Sequence, residues 1–500
     1  MNQQVEFTWD FLKNVSEALD SYRVRSFIDA KEDIINAGVY TEQQYFSILF
    51  KMIDEEKVKF QLFDYLKKHH EKGISIIQQF SEDHNVEYKK THSLLKLLEA
   101  EGLISIKEIY EFTEQEDGSE DRSQEYTDLL ITIRNTSPST IRPIYEPVKI
   151  IFNSKICSGC GLCAGICPMD CITIQNGHGE IDEDKCIRCG LCYLVCPRSF
   201  LPVNILNLYQ EDDSKLKKYE QIGHFLEAYS ARTKIKEIRE VCQDGGISST
   251  CLLHLFNTGE IDFAIGAKIG DKPWCPEPVL IQNKDDIINA AGTKYVNNPN
   301  LKLLSELNTQ IDKRIAVVGV PCMMQALLKS RIYDINLPSL QAVQYRIGIY
   351  CMESFGYENG FLKICEMLNV HVDDVRKTDI NKGKFIIYTT NNEELSIPIK
   401  EINHLAREDC EVCYDLTSES ADISVGSIGA PSGWNCVLIR TPKGKELFND
   451  LVKNDLIEAK PISEVKPGIG LLKKIAAGKK KKSIKYINEK LEREDKVPIY

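Results

Sequence analysis

Apolar residues recur at three- and four-residue intervals through FTWDFLKNVSEALDSY and QYFSILFKMIDEEKVKFQLFDYLKKHH, so residues 1–69 read as a helical region. No chemistry is visible there, and packing or partner docking is its expected role. Residues 70–146 read as a second unit. ISIIQQFSE and THSLLKLLEAEG give two short helices, the second ended by Gly102. LISIKEIYEF and EYTDLLITIRN then alternate like two strands around the acidic turn EQEDGSEDRS, an order that resembles a winged helix. The proline-bearing stretch SPSTIRPIYEPVKI reads as a linker. From about residue 236 the texture becomes α/β with a mixed sheet, continuing to 465. IDFAIGAKI, RIAVVGV, YRIGIYC, KFIIYTT, ADISVGSIG and NCVLIR read as strands, and ISSTCLLHLF, MMQALLK, GFLKICEML and GKELFNDLV as helices. Residues 206–235 read as a charged helical connector. Residues 466–500 read as a basic tail, whose lysines form a solvated helix face or guide an anionic partner.

Length turns this pattern into a multidomain fold: 500 residues exceed one compact domain, and three or four units of mixed α+β and α/β class are expected. Lys+Arg number 62 against 74 Asp+Glu, a net charge of −12, which opposes nucleic acid or an anionic membrane as the main partner. The winged-helix-like stretch is more acidic still, with 7 Lys/Arg against 15 Asp/Glu between His70 and Asn135, so protein docking is expected of it rather than DNA binding. No run of 18 apolar residues predicts a membrane span, and the first residues carry no secretory pattern, so a cytoplasmic chain is expected.

Eighteen cysteines decide the chemistry. In a reducing compartment they are not expected to form disulfides, so their spacing must explain them. Cys157, Cys160, Cys163 and Cys167 precede Pro168; Cys186, Cys189, Cys192 and Cys196 precede Pro197. Each run is C-x2-C-x2-C-x3-C-P, the spacing of a ferredoxin with two 4Fe–4S clusters, and places that domain at residues 147–205. The fourth thiolate of each run reaches the other cluster. One cluster thus takes Cys157, Cys160, Cys163 and Cys196; the second takes Cys186, Cys189, Cys192 and Cys167. Gly159, Gly161 and Gly190 keep the ligand loops small. The intervening ITIQNGHGEIDEDK should be a short hairpin with His178 on its surface. Cys171 reads as a packed thiol.

A second constellation lies further on. Cys322 follows the apolar strand of VVGVPC, Cys351 ends RIGIYC, and Cys410 and Cys413 form CEVC. Four thiols suit a third 4Fe–4S cluster or a zinc ion; buried core thiols are the alternative. QDGGISSTCLLHLF sets Gly245 and Gly246 before a helix with Ser248, Ser249 and Thr250 following, and ADISVGSIGAPSGWN ends a strand in a glycine-rich loop. Together they favour a phosphate-bearing nucleotide cofactor.

QDGG (243–246), GTKYV (292–296), VVGVPCMMQAL (317–327), YCMESF (350–355), CEVC (410–413) and ADISVGSIGAPSGWN (421–435) resemble, in order, the family of coenzyme F-420 hydrogenase/dehydrogenase beta subunits. The resemblance covers about residues 147–480, with the ferredoxin module that many members carry, and leaves 1–146 outside. It implies an α/β domain binding FAD with a 4Fe–4S cluster beside it, and hydride exchange with the deazaflavin coenzyme F-420. By motif position, Cys322, Cys351, Cys410 and Cys413 would ligate that cluster. Gln243, Gly245, Gly246, Ser248, Lys294 and Tyr295 would contact FAD, with Ser427, Gly429 and Gly433 lining the same pocket. Glu353 would orient the ring or shuttle a proton, or hold a ligand in place. The expected partners are other subunits of a hydrogenase, dehydrogenase or similar electron-transfer complex, with residues 1–146 as the docking extension. The alternatives are a related flavin reductase for another organic substrate, an iron–sulfur sensor, and a ferredoxin fused to a structural domain.

Overall fold

A computed structural model describes residues 21–69, 73–113, 123–134, 147–201, 217–219, 221–308, 312–335 and 337–500. The helix expected at the start of the chain, the acidic turn after Thr113 and the proline-bearing linker lie largely or wholly outside these residues.

The amino-terminal helices are α1 (Tyr22–Asp29), α2 (Lys31–Asn36) and the long α3 (Glu42–Lys68). Thr41 and Gln44 start α3 with a reciprocal cap: each side chain accepts a hydrogen bond from the other's backbone N–H, at 3.3 and 2.8 Å. Tyr45, Ile48, Leu49 and Met52, spaced 3, 1 and 3 residues apart, form one buried stripe of α3. That stripe packs with Cys160, Cys189, Leu191 and Val195 of the cysteine-rich domain in one continuous core. Residues 21–52 therefore share a core with the ferredoxin domain. The far end of α3 contributes Leu62, Phe63 and Leu66 to a second core with α4 (Ile74–His84), α5 (Tyr88–Ala100) and the antiparallel pair β1 (Ile104–Thr113) and β2 (Ser123–Ile133).

The cysteine-rich domain carries the expected hairpin, β3 (Ile172–Gln175) with β4 (His178–Ile181). Gly161 starts a short helix at Leu162–Gly165 from a left-handed conformation, φ +89°. A Cβ there would lie 2.7 Å from the Pro299 carbonyl oxygen, so glycine lets the domain seat directly on backbone of the following domain.

Short β5 (Lys217–Tyr219) pairs with β2. Residues 206–216 of the expected helical connector lie outside the described residues; its later part forms a strand, β6 (Glu227–Thr233), because EAYSART supplies Ala231 and Thr233 to an interior sheet face. With α6 (Ile247–Asn257), β7 (Phe263–Ile269), β8 (Pro276–Ile281), β9 (Ile315–Gly319), α7 (Pro321–Ile332) and β10 (Val343–Ile349) the chain builds most of the large sheet. β11 (Val375–Asn381), β12 (Lys384–Thr389) and β13 (Glu394–Pro398) form a separate antiparallel sheet, so KFIIYTT is a strand but not of the main sheet. β14 (Ile423–Gly426), β15 (Asn435–Ile439), α8 (Pro442–Lys453) and β16 (Ile457–Pro461) complete the eight-stranded order β16-β6-β15-β14-β10-β9-β7-β8. Its centre, β14-β10-β9-β7, is parallel, and both flanks are antiparallel.

The basic tail is the 24-residue helix α9 (Ile469–Glu492). Half of its lysines are exposed, as a solvated face requires, but Lys479 and Lys490 are buried, and Leu472, Ala476, Lys479 and Ser483 form one buried stripe at helical spacing. The chain end is also fastened: Leu201 N–H donates to Ile499 O at 2.6 Å, and the Tyr500 hydroxyl donates to Val412 O. Among the described residues no helix is long and apolar enough to cross a membrane.

Candidate functional site

Parallel neighbours β9 and β10 release the chain at Gly319 and Ile349, on the same edge of the sheet. Cys322 sits in the first turn of α7, and Cys351 two residues beyond β10. Both thus lie at the carboxyl ends of adjacent parallel strands, where open α/β sheets place their ligands. The Cys410–Cys413 turn folds over them. Ser354 N–H donates to Cys410 Sγ at 3.4 Å, and Cys351 N–H to Leu416 O at 2.8 Å. Burial pushes the Cys322 thiol well up, with Cys160, Cys413 and Cys351 adding to the rise. Burial, then Cys413, raises Cys351 to about 11, and burial, Asp409 and Cys351 raise Cys410. These are mutual effects of thiols gathered in one dry place, directly beside the ferredoxin thiol Cys160.

Buried cations line this place and the adjoining ferredoxin loops. Arg407 donates to Asp409 Oδ1 at 2.8 Å, Cys157 O at 2.7 Å and Gly177 O at 2.8 Å. Lys329 donates to Cys196 O at 2.8 Å and Ser199 Oγ at 2.9 Å. Lys479 donates to Cys351 O at 2.6 Å and Asp415 O at 2.8 Å. Arg198, two residues after Cys196, reaches Asp409 O at 3.4 Å, while its Nε and Nη1 are buried without a hydrogen-bond partner. A buried N–H donor needs an acceptor, and sulfur of an iron–sulfur cluster would supply one beside Cys322 and Cys413. Four thiols beside such an unpartnered donor fit a cluster.

The flavin candidates gather on the neighbouring face. Gly246, at φ +73°, opens α6, and the Ile247 N–H donates to Asn435 Oδ1 at 3.2 Å. Gln243 Nε2 donates to Asp379 Oδ1 at 3.0 Å, and Lys377 Nζ to Gln243 O at 3.2 Å. The Tyr295 hydroxyl accepts from Ile380 N–H at 3.1 Å, and its carbonyl accepts from Phe355 N–H at 2.9 Å. Tyr295 thereby joins the Gln243 turn to the loop carrying Cys351. Lys294 donates to Ala290 O and Ala291 O at 2.5 and 2.9 Å, and burial lowers its ammonium to about 8. It has no carboxylate partner among the described residues, and the hydroxyl of Thr378, whose carbonyl accepts from Gln243 Nε2 at 3.2 Å, is buried and unpartnered. A desolvated cation and an orphaned hydroxyl beside a glycine turn fit an anionic cofactor such as FAD.

The structure brings together Gln243, Gly245, Gly246, Lys294 and Tyr295; Ser248 is half-buried on the first turn of α6. The glycine-rich loop meets them through Asn435, whose Oδ1 would lie 2.7 Å from a Cβ at Gly245. Ser427 is exposed, Gly429 O accepts from Gly468 N–H at 2.9 Å, and Gly433 faces open space. Glu353 lines a different feature: a cavity of about 210 Å³ shared with Met352, Cys410, Lys479 and Lys482. Burial raises its carboxyl. The buried cations and Asn435, Asp379 and Lys377 carried no spacing signal. Lys479 alone did, through the 472/476/479/483 stripe hidden in the basic run.

Family models match this arrangement: the N-terminal region of the coenzyme F-420 hydrogenase/dehydrogenase beta subunit at residues 228–305, its C terminus at 312–465, and a 4Fe-4S dicluster domain at 149–197. The coenzyme F-420 hydrogenase beta chain of Methanosarcina barkeri is 38% identical over 54% of this chain and 93% of its own length. One of the F(420)H(2) dehydrogenase subunits of Methanosarcina mazei is 35% identical over 69% of this chain and 95% of its own. A chain of the F-420-reducing [NiFe] hydrogenase complex from Methanosarcina barkeri superposes with a TM-score of 0.52 at 39% identity, covering 54% of this chain and 93% of that one. The cysteine framework, the strand-end site and these likenesses agree: the chain belongs to the family of coenzyme F-420 hydrogenase/dehydrogenase beta subunits.

Proposed function

We propose that the protein is an iron–sulfur flavoprotein oxidoreductase that passes electrons between coenzyme F-420 and a partner electron-transfer subunit. The observation carrying this reading is the gathering of Cys322, Cys351, Cys410 and Cys413 between the ferredoxin thiols and the Gln243–Lys294 cradle, linked through Tyr295. When bound, FAD would exchange a hydride with the coenzyme, while three 4Fe–4S clusters would take electrons singly. The relatives named as hydrogenase and dehydrogenase subunits support both the coenzyme and the need for a partner.

The chain's own residues divide the work. Cys157, Cys160, Cys163 and Cys196 hold one cluster, Cys186, Cys189, Cys192 and Cys167 the second, and Cys322, Cys351, Cys410 and Cys413 the third. Gln243, Gly245, Gly246, Ser248 and Tyr295 shape the flavin cradle, Lys294 offsets its negative charge, and the Ser427–Gly433 loop closes one side. Glu353, lining the cavity beside Cys410, would orient the flavin ring or shuttle a proton. The α4–α5–β1–β2 unit is the part left for docking.

Iron, acid-labile sulfide and extracted flavin test this reading. About twelve iron and one FAD per chain are expected from three clusters of four. Reduced coenzyme F-420 should bleach the visible spectrum in preference to NADH; bleaching by NADH alone would redirect the assignment to another organic donor.

Acid should tighten flavin binding. Burial, with Asp379 adding its charge, raises Asp244 in the glycine turn to about 6. Above that pH the carboxylate opposes an anionic cofactor; below it the group is neutral. The FAD Kd of deflavinated protein should therefore fall as pH drops from 7.5 to 5.5, by about tenfold or 1.4 kcal/mol for one close like charge. Asp244→Asn should bind tightly throughout and flatten the profile. An unchanged profile in this variant would remove Asp244 from the flavin site.

A further inference from the structure

Two cations stand on opposite chain segments beside the four thiols at the strand ends. Arg198 comes from the ferredoxin domain and is 1% exposed; Lys479 comes from α9 and is 7% exposed. Arg198 faces Cys413 and Cys322, and its Nε and Nη1 have no acceptor in the protein. Lys479 faces Cys413, Cys351 and Cys410, and spends its donors on the carbonyls of Cys351 and Asp415. Nearby carboxylates offset part of this charge: Asp409 Oδ2 lies 3.8 Å from Arg198 Nη2, and Asp415 lies beside Lys479. Asp409 is also held by Arg407 at 2.8 Å, and the Asp415 carboxylate accepts from Ser418 N–H and Glu419 N–H at 2.8 and 2.9 Å. Burying an ammonium and a guanidinium is costly unless negative charge lies close.

We infer that Arg198 and Lys479 are a positioning pair that brackets the third cluster and raises its reduction potential. The inference rests on the third-cluster reading given above. Reduction adds one negative charge to the cluster, and two fixed positive charges in a dry site favour that added electron. Arg198 has a second consequence. It lies two residues from Cys196, a ligand assigned to the first ferredoxin cluster, so one side chain touches the walls of both sites. Its unpartnered donors point to a sulfur acceptor rather than to a carboxylate.

Potentiometric titration of the purified full chain, followed by electron paramagnetic resonance, tests the pair. Wild-type protein with about eight iron and no third signal would sink the cluster reading itself. Given twelve iron in wild type, Lys479→Met and Arg198→Gln should each lower the third midpoint, shifting its equilibrium with the ferredoxin clusters by about tenfold, or about 59 mV for one electron. Lys485→Met removes the same charge from α9 at a side chain 79% exposed, and should shift nothing. Unchanged midpoints in both buried-site variants at full iron content would overturn the inference. If either neutral variant loses the third cluster, Lys479→Arg and Arg198→Lys decide. Recovery of the cluster supports a charge role, and continued loss overturns it.

Discussion

Cys410→Ser should remove about a third of the iron, from about twelve to about eight per chain, and strand electrons on the flavin. The thiol occupies the turn that closes over Cys322 and Cys351, with Ser354 N–H donating to its sulfur. A serine hydroxyl has neither the softness nor the acidity to replace a thiolate on iron. Reduced coenzyme F-420 should still bleach the flavin band, because the Gln243–Tyr295 cradle does not include Cys410. Reduction of the ferredoxin clusters should then slow by at least about a thousandfold, if the third cluster is their only supply. Rapid mixing followed at the flavin and iron–sulfur absorptions checks this, together with iron analysis. Cys365→Ser is the control: that thiol is packed in the Phe355–Phe385 core away from the other cysteines, so it should cost stability and leave iron at twelve. Wild-type reduction of the ferredoxin clusters in Cys410→Ser protein would end the relay assignment.

The features legible in the sequence are those whose chemistry forces a spacing. Two C-x2-C-x2-C-x3-C-P runs could be read outright, because a ligand loop must wrap one cluster corner by corner. The central strands were equally plain: buried parallel strands give continuous apolar runs, as in RIAVVGV and YRIGIYC. Where the chain misled, burial came from tertiary neighbours. EAYSART carries too few apolar residues to announce β6, yet it is flanked on both sides in the sheet by β15 and β16. KFIIYTT looks like its counterparts in the main sheet, and only pairing with β11 and β13 assigns it elsewhere. The four cations around the thiols were invisible for a different reason. Arginine and lysine are ordinarily solvated, and nothing local marks Arg198, Arg407 or Lys329 as exceptions. Only Lys479 left a trace, since Leu472, Ala476 and Ser483 share its helical face.

Removing residues 1–69 should cost far more than a partner. Val24, Phe27, Tyr45, Ile48, Leu49 and Met52 are all buried against the ferredoxin domain and its neighbours. Exposing such a side chain forfeits about 1.5–3 kcal/mol, and whole domains are stable by only about 5–15 kcal/mol. Polar ties go as well. Arg23 Nε donates to Cys189 O at 3.1 Å, the Tyr40 hydroxyl to Ile166 O at 2.5 Å, and Gln44 Nε2 to Asn308 O at 2.5 Å. Each leaves a buried carbonyl beside a ligand loop or in the adjoining domain without its donor, at about 1–3 kcal/mol apiece. The truncated chain should be insoluble, or soluble with the second ferredoxin cluster lost and iron near eight. A free docking arm would behave oppositely, keeping twelve iron and the bleaching by coenzyme F-420 while losing only assembly. The milder double variant Arg23→Ala/Tyr40→Phe separates contact from folding: the chain stays intact, and the second cluster should be lost several-fold faster to a chelator while the third is lost at the wild-type rate. Equal loss rates for both clusters in that variant would show that the amino-terminal helices do not guard the Cys189 loop.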